Sequence, residues 1–515
     1  MSDAPLENLR SVRAKKRRST GYGTHQSAPQ TSDTPEDTRV VANPGAFVNT
    51  YRLVSLVALS ASILRAQGSG TAASASADPS FRVSRYEELW PAAARTAPNL
   101  RALKHIALLP DGAAWLTIAG ASRYRGIQYR NFQLTDRASM QDDYSELRTL
   151  LSADLRVGPS GGTYARLFAE GRDAQGFDRT LPGGVRTNEA DRADWQNLLA
   201  EVGRGNSFVR YGRQELAVGR ERLIGVADWA NSRRSFEGWR ATTASDVRLD
   251  LFDGRVVAIR SDAPDRPDST THLRLVSLST VRDRPASYSA RPALWQAYLI
   301  QLQTRNNLDD RTTVGARALW RAPYGKALLS LEAEGASQRG HIATRSVDAW
   351  FGVLEATTAW RTVRWAPSLL VGVDIGSGTG SDTLHHADNF QPPYATAHGF
   401  TGIADVFGRG NLLERRVGVG FEPIATVQVQ TTLRRFSRVR LEDGVYTKTN
   451  TLLRAAGGST ALAVADEGDL TVVWPASKYL TVQGGVAFVL PSAFLRQTGV
   501  SAQERFAFIS TAFTF

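Results

Sequence analysis

Cysteine is absent from the chain. That excludes disulfides, thiolate metal sites and cysteine nucleophiles. It suits an oxidising compartment, where a chain either pairs its cysteines or does without them. Long apolar runs are also missing, and the mean hydropathy is −0.27. A bundle of membrane helices needs about 20 consecutive apolar residues per span and is excluded. A membrane β-barrel is not, because only alternate residues of its strands meet lipid. Lysine is scarce, so nearly all of the 62 basic residues are arginine. Arginine stays charged at any physiological pH and grips carboxylates in a bidentate fork. The formal charge is +12. These basic residues are scattered at strand spacing rather than clustered, which argues against a nucleic-acid partner.

The N-terminal residues 1–46 are polar, with a basic run Lys15-Lys16-Arg17-Arg18 and an acidic stretch near Asp33–Asp37. They lack the apolar content to fold. Tyr51-Arg52 then precedes an apolar run from Leu53 to Leu64, and small residues follow to Ala75-Ser76-Ala77. A basic flank, a short apolar core and an A-x-A site make a secretory signal peptide. Cleavage is expected near Ala77, with Ala66 as the alternative. A signal normally starts at the chain's beginning, and no methionine lies between Met1 and Met140. An initiation codon near Val48 would put the signal at the terminus. Sequencing a precursor that begins at Met1 would exclude that start. Residues 1–77 are therefore read as leader plus signal, 78–110 as a short periplasmic segment, and 111–515 as the folded body.

That body reads as many short strands. In Glu146–Arg156, Leu147, Thr149, Leu151, Ala153 and Leu155 share one face, while Glu146, Arg148, Ser152, Asp154 and Arg156 share the other. Period two over about ten residues fits a tilted membrane strand. Val247–Leu251, Ala327–Gly335, Ala425–Arg434 and Leu480–Phe488 repeat it. The second face is consistently polar or ionic, which suits a wet lumen better than the outside of a soluble sandwich. Tight-turn chemistry occurs at Gly158–Gly162 and Ala322–Gly325. Longer polar connections are expected at Thr180–Asp194, Ser261–Thr270, Gly376–Gly399 and Leu441–Asn450. At roughly 24 residues per strand and connection, the part after Ala77 makes on the order of 18 strands. The last strand alternates and stops on the aromatic Phe515 with no tail. Bacterial outer-membrane barrels end this way, a signal read by the barrel-assembly machinery. The expected fold is all-β: a large antiparallel transmembrane barrel with long extracellular loops, seated in outer-membrane lipid and lipopolysaccharide of a Gram-negative bacterium.

Several blocks carry a family resemblance. They are Ser84-Arg85-Tyr86-Glu87-Glu88, Leu103–Leu108, a strand with Arg123-Tyr124-Arg125, Val209-Arg210-Tyr211-Gly212-Arg213-Gln214-Glu215-Leu216, and Asp228–Gly238. Further on come Asn389–Tyr394, His398–Gly402, Asn411-Leu412 and Glu467-Gly468-Asp469-Leu470-Thr471. In this order and spacing the chain from Tyr86 to Phe515 resembles the alginate export family of outer-membrane barrels. Pro393-Tyr394-Ala395-Thr396 approximates that family's loop. The resemblance implies a monomeric barrel whose arginine-lined pore passes a polyuronate outward.

A polyuronate pore needs fixed positive charge but no single tight site, since a tight site stalls conduction. Arg148, Arg156, Arg166 and Arg172 lie at inward parity, and Arg123, Arg125, Arg210 and Arg213 sit in the family blocks. Arg210 and Arg213 have opposite parity, so a bulge or strand end at Gly212 is required for both to face inward. Asp154, Glu170 and Glu332 are the expected counter-charges. The alternative is a lumen of mutually neutralising ion pairs without solute preference. His385-His386-x-Asp388 and the set Asp374, Asp382, Asp388 lie in a Gly/Ser-rich stretch and read as solvated loop residues rather than Zn²⁺ or Ca²⁺ sites. Gly376–Gly380 lacks the Lys-Ser/Thr of a phosphate loop. Trp115, Trp295, Trp320, Trp350, Trp360, Trp365 and Trp474 read as interface girdle rather than sugar-stacking platforms. Seven histidines are present, with no recognisable Ser-His-acid order. The expectation is a porin-like transporter with no catalytic residue, metal or cofactor, passing either an anionic polysaccharide outward or small anionic nutrients, such as oligouronates or aromatic acids, inward. An adhesin or scaffold is the third class.

Overall fold

The computed structural model describes residues 81–88, 90, 99–159, 162–280, 293–305, 308–396 and 398–515. The leader and signal readings lie outside these residues. Period-two patterning becomes strand throughout. The wall comprises β1 (Ala114–Arg130), β2 (Asp142–Val157), β3 (Thr163–Phe177), β4 (Asp191–Arg204), β5 (Ser207–Gln214), β6 (Phe236–Ala244), β7 (Val247–Ala258), β8 (Thr271–Thr280) and β9 (Ala293–Thr304). It continues with β10 (Asp309–Tyr324), β11 (Ala327–Ile342), β12 (Arg345–Ala359), β13 (Ser368–Gly376), β14 (Leu412–Ile424), β15 (Val427–Arg438), β16 (Ala463–Pro475), β17 (Leu480–Pro491) and β18 (Glu504–Thr514).

Each strand pairs antiparallel with the next, and β1 pairs with β18 from Ala121↔Thr514 to Arg130↔Arg505. The sheet is thus a closed antiparallel barrel of 18 strands. Closure extends one residue past β18. Phe515 N–H donates to Gly120 O at 2.9 Å, and Gly120 N–H donates to Phe515 O at 3.0 Å. A Cβ on Gly120 would lie 2.5 Å from the Phe515 ring, so glycine there makes room for the terminal aromatic.

Alternation decides which face meets which medium. In β2, Glu146, Arg148, Leu150, Ser152 and Asp154 are buried inside while Thr149, Leu151 and Ala153 are exposed on the outer face. The end of β2 and the start of β3, the short turns at 205–206, 245–246, 325–326 and 476–479, the start of β1 and Phe515 gather at one end. Long connections at 131–141, 178–190, 215–235, 259–270, 377–411 and 439–462 gather at the other. In barrels of this class short turns are periplasmic and long loops extracellular.

Two of the long connections turn inward and supply cores of their own. Leu216, Val218, Leu223 and Ile224 of 215–235 pack with Phe236, Phe252, Ile300, Phe351 and Phe390. Ile403, Ala404, Val406 and Phe407 of 377–411 pack with Phe436, Val464, Phe494 and Phe506. The apolar inner positions of the wall exist to receive these loops.

Candidate transport pathway

Inward parity brings the wall arginines together in opposed pairs. Arg123 faces Arg148 across β1 and β2, and Arg156 faces Arg166 across β2 and β3. Arg210 faces Arg240 across β5 and β6, and Arg416 faces Arg434 across β14 and β15. Like charges directly opposite repel, so each pair needs an acceptor between its members. Asp154 takes Arg156 at 3.3 Å and Arg166 at 2.7 Å. Glu414 takes Arg416 at 3.2 Å and Arg434 at 3.0 Å. Arg210 pairs with Glu201, and Arg240 with Asp250 at 3.1 Å.

For Arg123 and Arg148 the acceptor is the inner loop. Arg123 donates to Asp228 O at 2.7 Å, Trp229 O at 3.1 Å and Ala230 O at 3.2 Å. Arg148 donates to Asp228 O and Ala230 O, each at 3.1 Å, and to the Asp228 carboxylate at 2.8 Å. Arg125 adds Trp229 O at 2.7 Å and an ion pair with Glu146. Burial would raise the Asp228 carboxyl, but Arg148, Arg123 and Arg233 outweigh it and hold the group well below the usual range. The turn 228–230 therefore sits on a bed of cations.

The structure places the other expected residues as follows. Arg210 and Arg213 are both buried, and Gly212 between them has φ +126°, which supplies the break in alternation without any shift of register. Arg213 reaches Asp194 at 3.1 Å and Asp265 O at 2.9 Å. Glu170 accepts from Asn197 and Arg233, each at 3.0 Å. Glu332 takes Arg222 at 2.8 Å and Arg317 at 3.2 Å. Asp191, Asp194 and Asp265 are the one metal-like carboxylate group among the described residues, but Arg172 already binds Asp191 and Asp265, and Arg213 binds Asp194. Asp374 is held by Arg409 at 2.7 Å, apart from Asp382 and Asp388, and His385 meets Asp382 at 2.9 Å. Trp295, Trp320 and Trp350 are exposed on the wall, and Trp365 is exposed in the turn before β13.

Which of these charges still meet water separates two regions. Arg123, Arg125, Arg148, Arg166, Arg210 and Arg213 are all buried by protein partners. Toward the short-turn end the balance differs. There Arg156, Arg166, Arg210, Arg240 and Arg248 pair with the wall carboxylates Asp154, Glu201 and Asp250. The Arg248 side chain is 36% exposed, whereas those of Arg156 and Arg240 are 12% and 11% exposed, so Arg248 is the one of these five that opens broadly to solvent.

The sequence reading missed the inner contacts that fix the two loops to each other. Ile224 and Tyr394 form a parallel bridge. Gly225 N–H donates to Tyr394 O and Tyr394 N–H to Leu223 O, both at 2.9 Å. Trp229 stacks on His398 with centroids 3.6 Å apart, and the Arg125 guanidinium lies 3.8 Å over the other side of the same indole. His398 Nδ1 is 2.8 Å from Asp405, which also takes Lys448 at 2.7 Å. Only the quoted blocks Asp228–Gly238 and His398–Gly402 carried a trace of this, as residue types without a period.

The sequence matches the alginate export family over residues 114–508. The chain belongs to the alginate export family. It is an outer-membrane channel protein of a Gram-negative bacterium. This family member shares its barrel with solved structures from Pseudomonas aeruginosa. OccK8 (OprE) has a TM-score of 0.54 at 13% identity, covering 78% of this chain and 98% of that one. OccK2 (OpdF) in complex with glucuronate has a TM-score of 0.53 at 11% identity, covering 80% and 98%. The outer membrane protein opdK has a TM-score of 0.52 at 11% identity, covering 77% and 99%. At such identities the likeness is one of fold. No curated protein sequence matches the chain.

Proposed function

We propose that this alginate export family member passes small uronate-class anions. The observation that carries the reading is the vestibule, where five wall arginines pair with three wall carboxylates and Arg248 faces solvent. An excess of fixed cations in a water-filled mouth raises the local concentration of anions. Small size follows from the two inner loops, which leave the wall at distant strands and bond to each other within the barrel. The glucuronate bound in OccK2, a barrel of like fold, is of the same chemical class. Arginine's planar fork suits the carboxylate of a sugar acid. The second reading, outward passage of a polyuronate chain, is favoured by the family itself.

Single-channel recording of the refolded barrel in a planar bilayer tests this. Anion selectivity and transient block by monomeric glucuronate, both weakened in an Arg156→Gln/Arg248→Gln variant, are the expected results. Block by polyuronate with indifference to the monomer transfers the case to polymer export. Cation selectivity ends both readings.

A further inference from the structure

The outward faces of the strands carry charge near the long-loop end of the wall, and in three places that charge is matched. Arg274 on β8 stands directly opposite Asp253 on β7 and bonds it at 3.1 Å. Arg339 on β11 stands opposite Asp348 on β12, 3.5 Å away. Arg192 of β4 reaches Asp173 of β3 at 3.3 Å. Each of these arginines has an aspartate beside it.

From β14 round to β1 the pattern breaks. Arg415 on β14 stands opposite Arg435 on β15, and Arg505 on β18 stands opposite Arg130 on β1. Their chain neighbours Glu414, Arg434, Phe506 and Tyr129 are buried inside, so all four arginines point outward. Like charges directly opposite repel. Inside the barrel each such pair described above has an acceptor between its members. Outside, the acceptor stands on one flank only. Arg435 takes Asp466 at 2.7 Å, and Arg130 takes Asp143 at 2.8 Å. Arg415 and Arg505 are exposed, and neither pairs with a carboxylate among the described residues. On its other side Arg415 meets Val373, and Arg505 meets Phe488. The diagonal positions on the flanking strands hold no acid either.

Below and between the two pairs the same outer face is apolar. Val417, Val419, Leu433, Leu470, Val486 and Phe488 are all exposed there. Elsewhere on the wall Trp239 on β6 and Trp350 on β12 are exposed within six residues of the long-loop end, the level where aromatic girdles mark the membrane surface. Arg415 and Arg435 stand within four residues of that end of their strands, and Arg505 and Arg130 within two. The arginines thus lie at headgroup level with the hydrocarbon beneath them. Three strand spacings of about 4.8 Å separate Arg435 from Arg505, so each pair takes an anion of its own. An occupant that suits this face is anionic at its head and apolar below.

We propose that the outer wall from β14 to β1 binds the phosphates of outer-leaflet lipopolysaccharide, with Arg415 and Arg505 as the contact cations. Asp466 and Asp143 hold Arg435 and Arg130 beside them. A phosphate accepts two parallel N–H bonds from a guanidinium, and here it supplies the acceptor that the protein leaves out of each pair. The acyl chains then lie on the apolar wall below, of which a soluble anion makes no use. The Arg130–Arg505 pair straddles the seam between the first and last wall strands, so a phosphate bound there ties the two ends of the sheet together. The site is independent of what the channel conducts.

Native mass spectrometry of the refolded barrel, titrated in detergent with lipid A (the phosphorylated glycolipid of lipopolysaccharide), tests this. Heat-modifiable electrophoretic mobility is the control for folding. The Arg415→Gln/Arg505→Gln variant is expected to need about tenfold more lipid A for the same occupancy. Lipid A stripped of its phosphates is expected to bind wild type and variant equally and weakly. Arg274→Gln, which breaks a matched pair elsewhere on the rim, leaves lipid A binding at the wild-type level. An Arg415→Lys/Arg505→Lys variant keeps the charge but loses the fork, weakens binding by a smaller factor, and serves if the glutamine variant fails to fold. Equal lipid A binding by wild type and a folded variant overturns the site. So does equal retention of the phosphate-free lipid by wild type, which would assign binding to the acyl chains alone. Inorganic phosphate bound as tightly as lipid A overturns the lipid as occupant. A dimer that the glutamine variant abolishes without loss of lipid gives the face to a second copy of the chain instead.

Discussion

Asn231 shows how single side chains hold the interior. It is fully buried, and its Nδ2 donates to Leu147 O at 3.0 Å, Gln175 O at 3.1 Å and Glu189 O at 2.9 Å. One amide thereby ties the inner loop to β2, to β3 and to the connection before β4. Asn411 does the same for the other loop, donating to Arg440 O and Gly444 O while accepting from the Val439 and Arg440 amides. Both asparagines stand in the blocks that carried the family resemblance, and their role explains why an amide is required there. Asn231→Ala leaves three buried carbonyls without that donor. The expected cost is about 1–3 kcal/mol, read as a lower urea midpoint for the barrel folded in lipid vesicles. At this scale the sequence was half legible. Parity put Arg148 and Arg166 inside, and the conflict between Arg210 and Arg213 pointed to Gly212. The backbone acceptors were not legible, because Asp228 O, Trp229 O and Ala230 O are atoms that any residue would supply.

Among elements, the two inner loops matter most, and neither announces its path. Leu216, Val218, Leu223 and Ile224 follow no strand or helix period, so their burial depends on partners far along the chain. The Trp229–His398 stack joins the loops through a titratable ring. Burial lowers the His398 imidazolium below its ordinary value, although Asp405 pulls the other way. At neutral pH the ring is therefore uncharged, with its proton on Nδ1 directed at Asp405. Burial pushes the Asp405 carboxyl up, but His398 and Lys448 outweigh it and keep the group ionised far into the acid range. The sign follows from linkage. A base whose folded pKa lies below its unfolded value stabilises the fold above the unfolded value, and that stabilisation is lost as pH falls through it. Acidification from about pH 7 to pH 5 is thus expected to loosen the loop junction, seen as lower amide protection factors across 398–411 once the intrinsic pH dependence of exchange is divided out. His398→Gln flattens this response. An equal pH response in that variant would assign the titration to another group.

The barrel as a whole was the most legible level. Chain length at roughly 24 residues per strand and connection, with period-two segments and turn chemistry, suffices for the strand number and the antiparallel order, because each wall strand solves the same local problem of one wet and one lipid face. Charge distribution over the whole molecule was not legible, since the parity of an arginine does not say how far along the barrel axis it stands. The structure puts Arg156, Arg240 and Arg248 within a few residues of the short turns, while Glu332, Glu355 and Glu414 each sit among arginines of their own. A pore with fixed charge at a single mouth behaves as a diode. When the voltage drives anions in through the vestibule they accumulate, and when it is reversed they are depleted. At an ionic strength where the Debye length is about 10 Å or more, current at opposite voltages of equal size is expected to differ. Raising the salt to about 1 M, where that length shrinks to about 3 Å, makes the current–voltage curve symmetric.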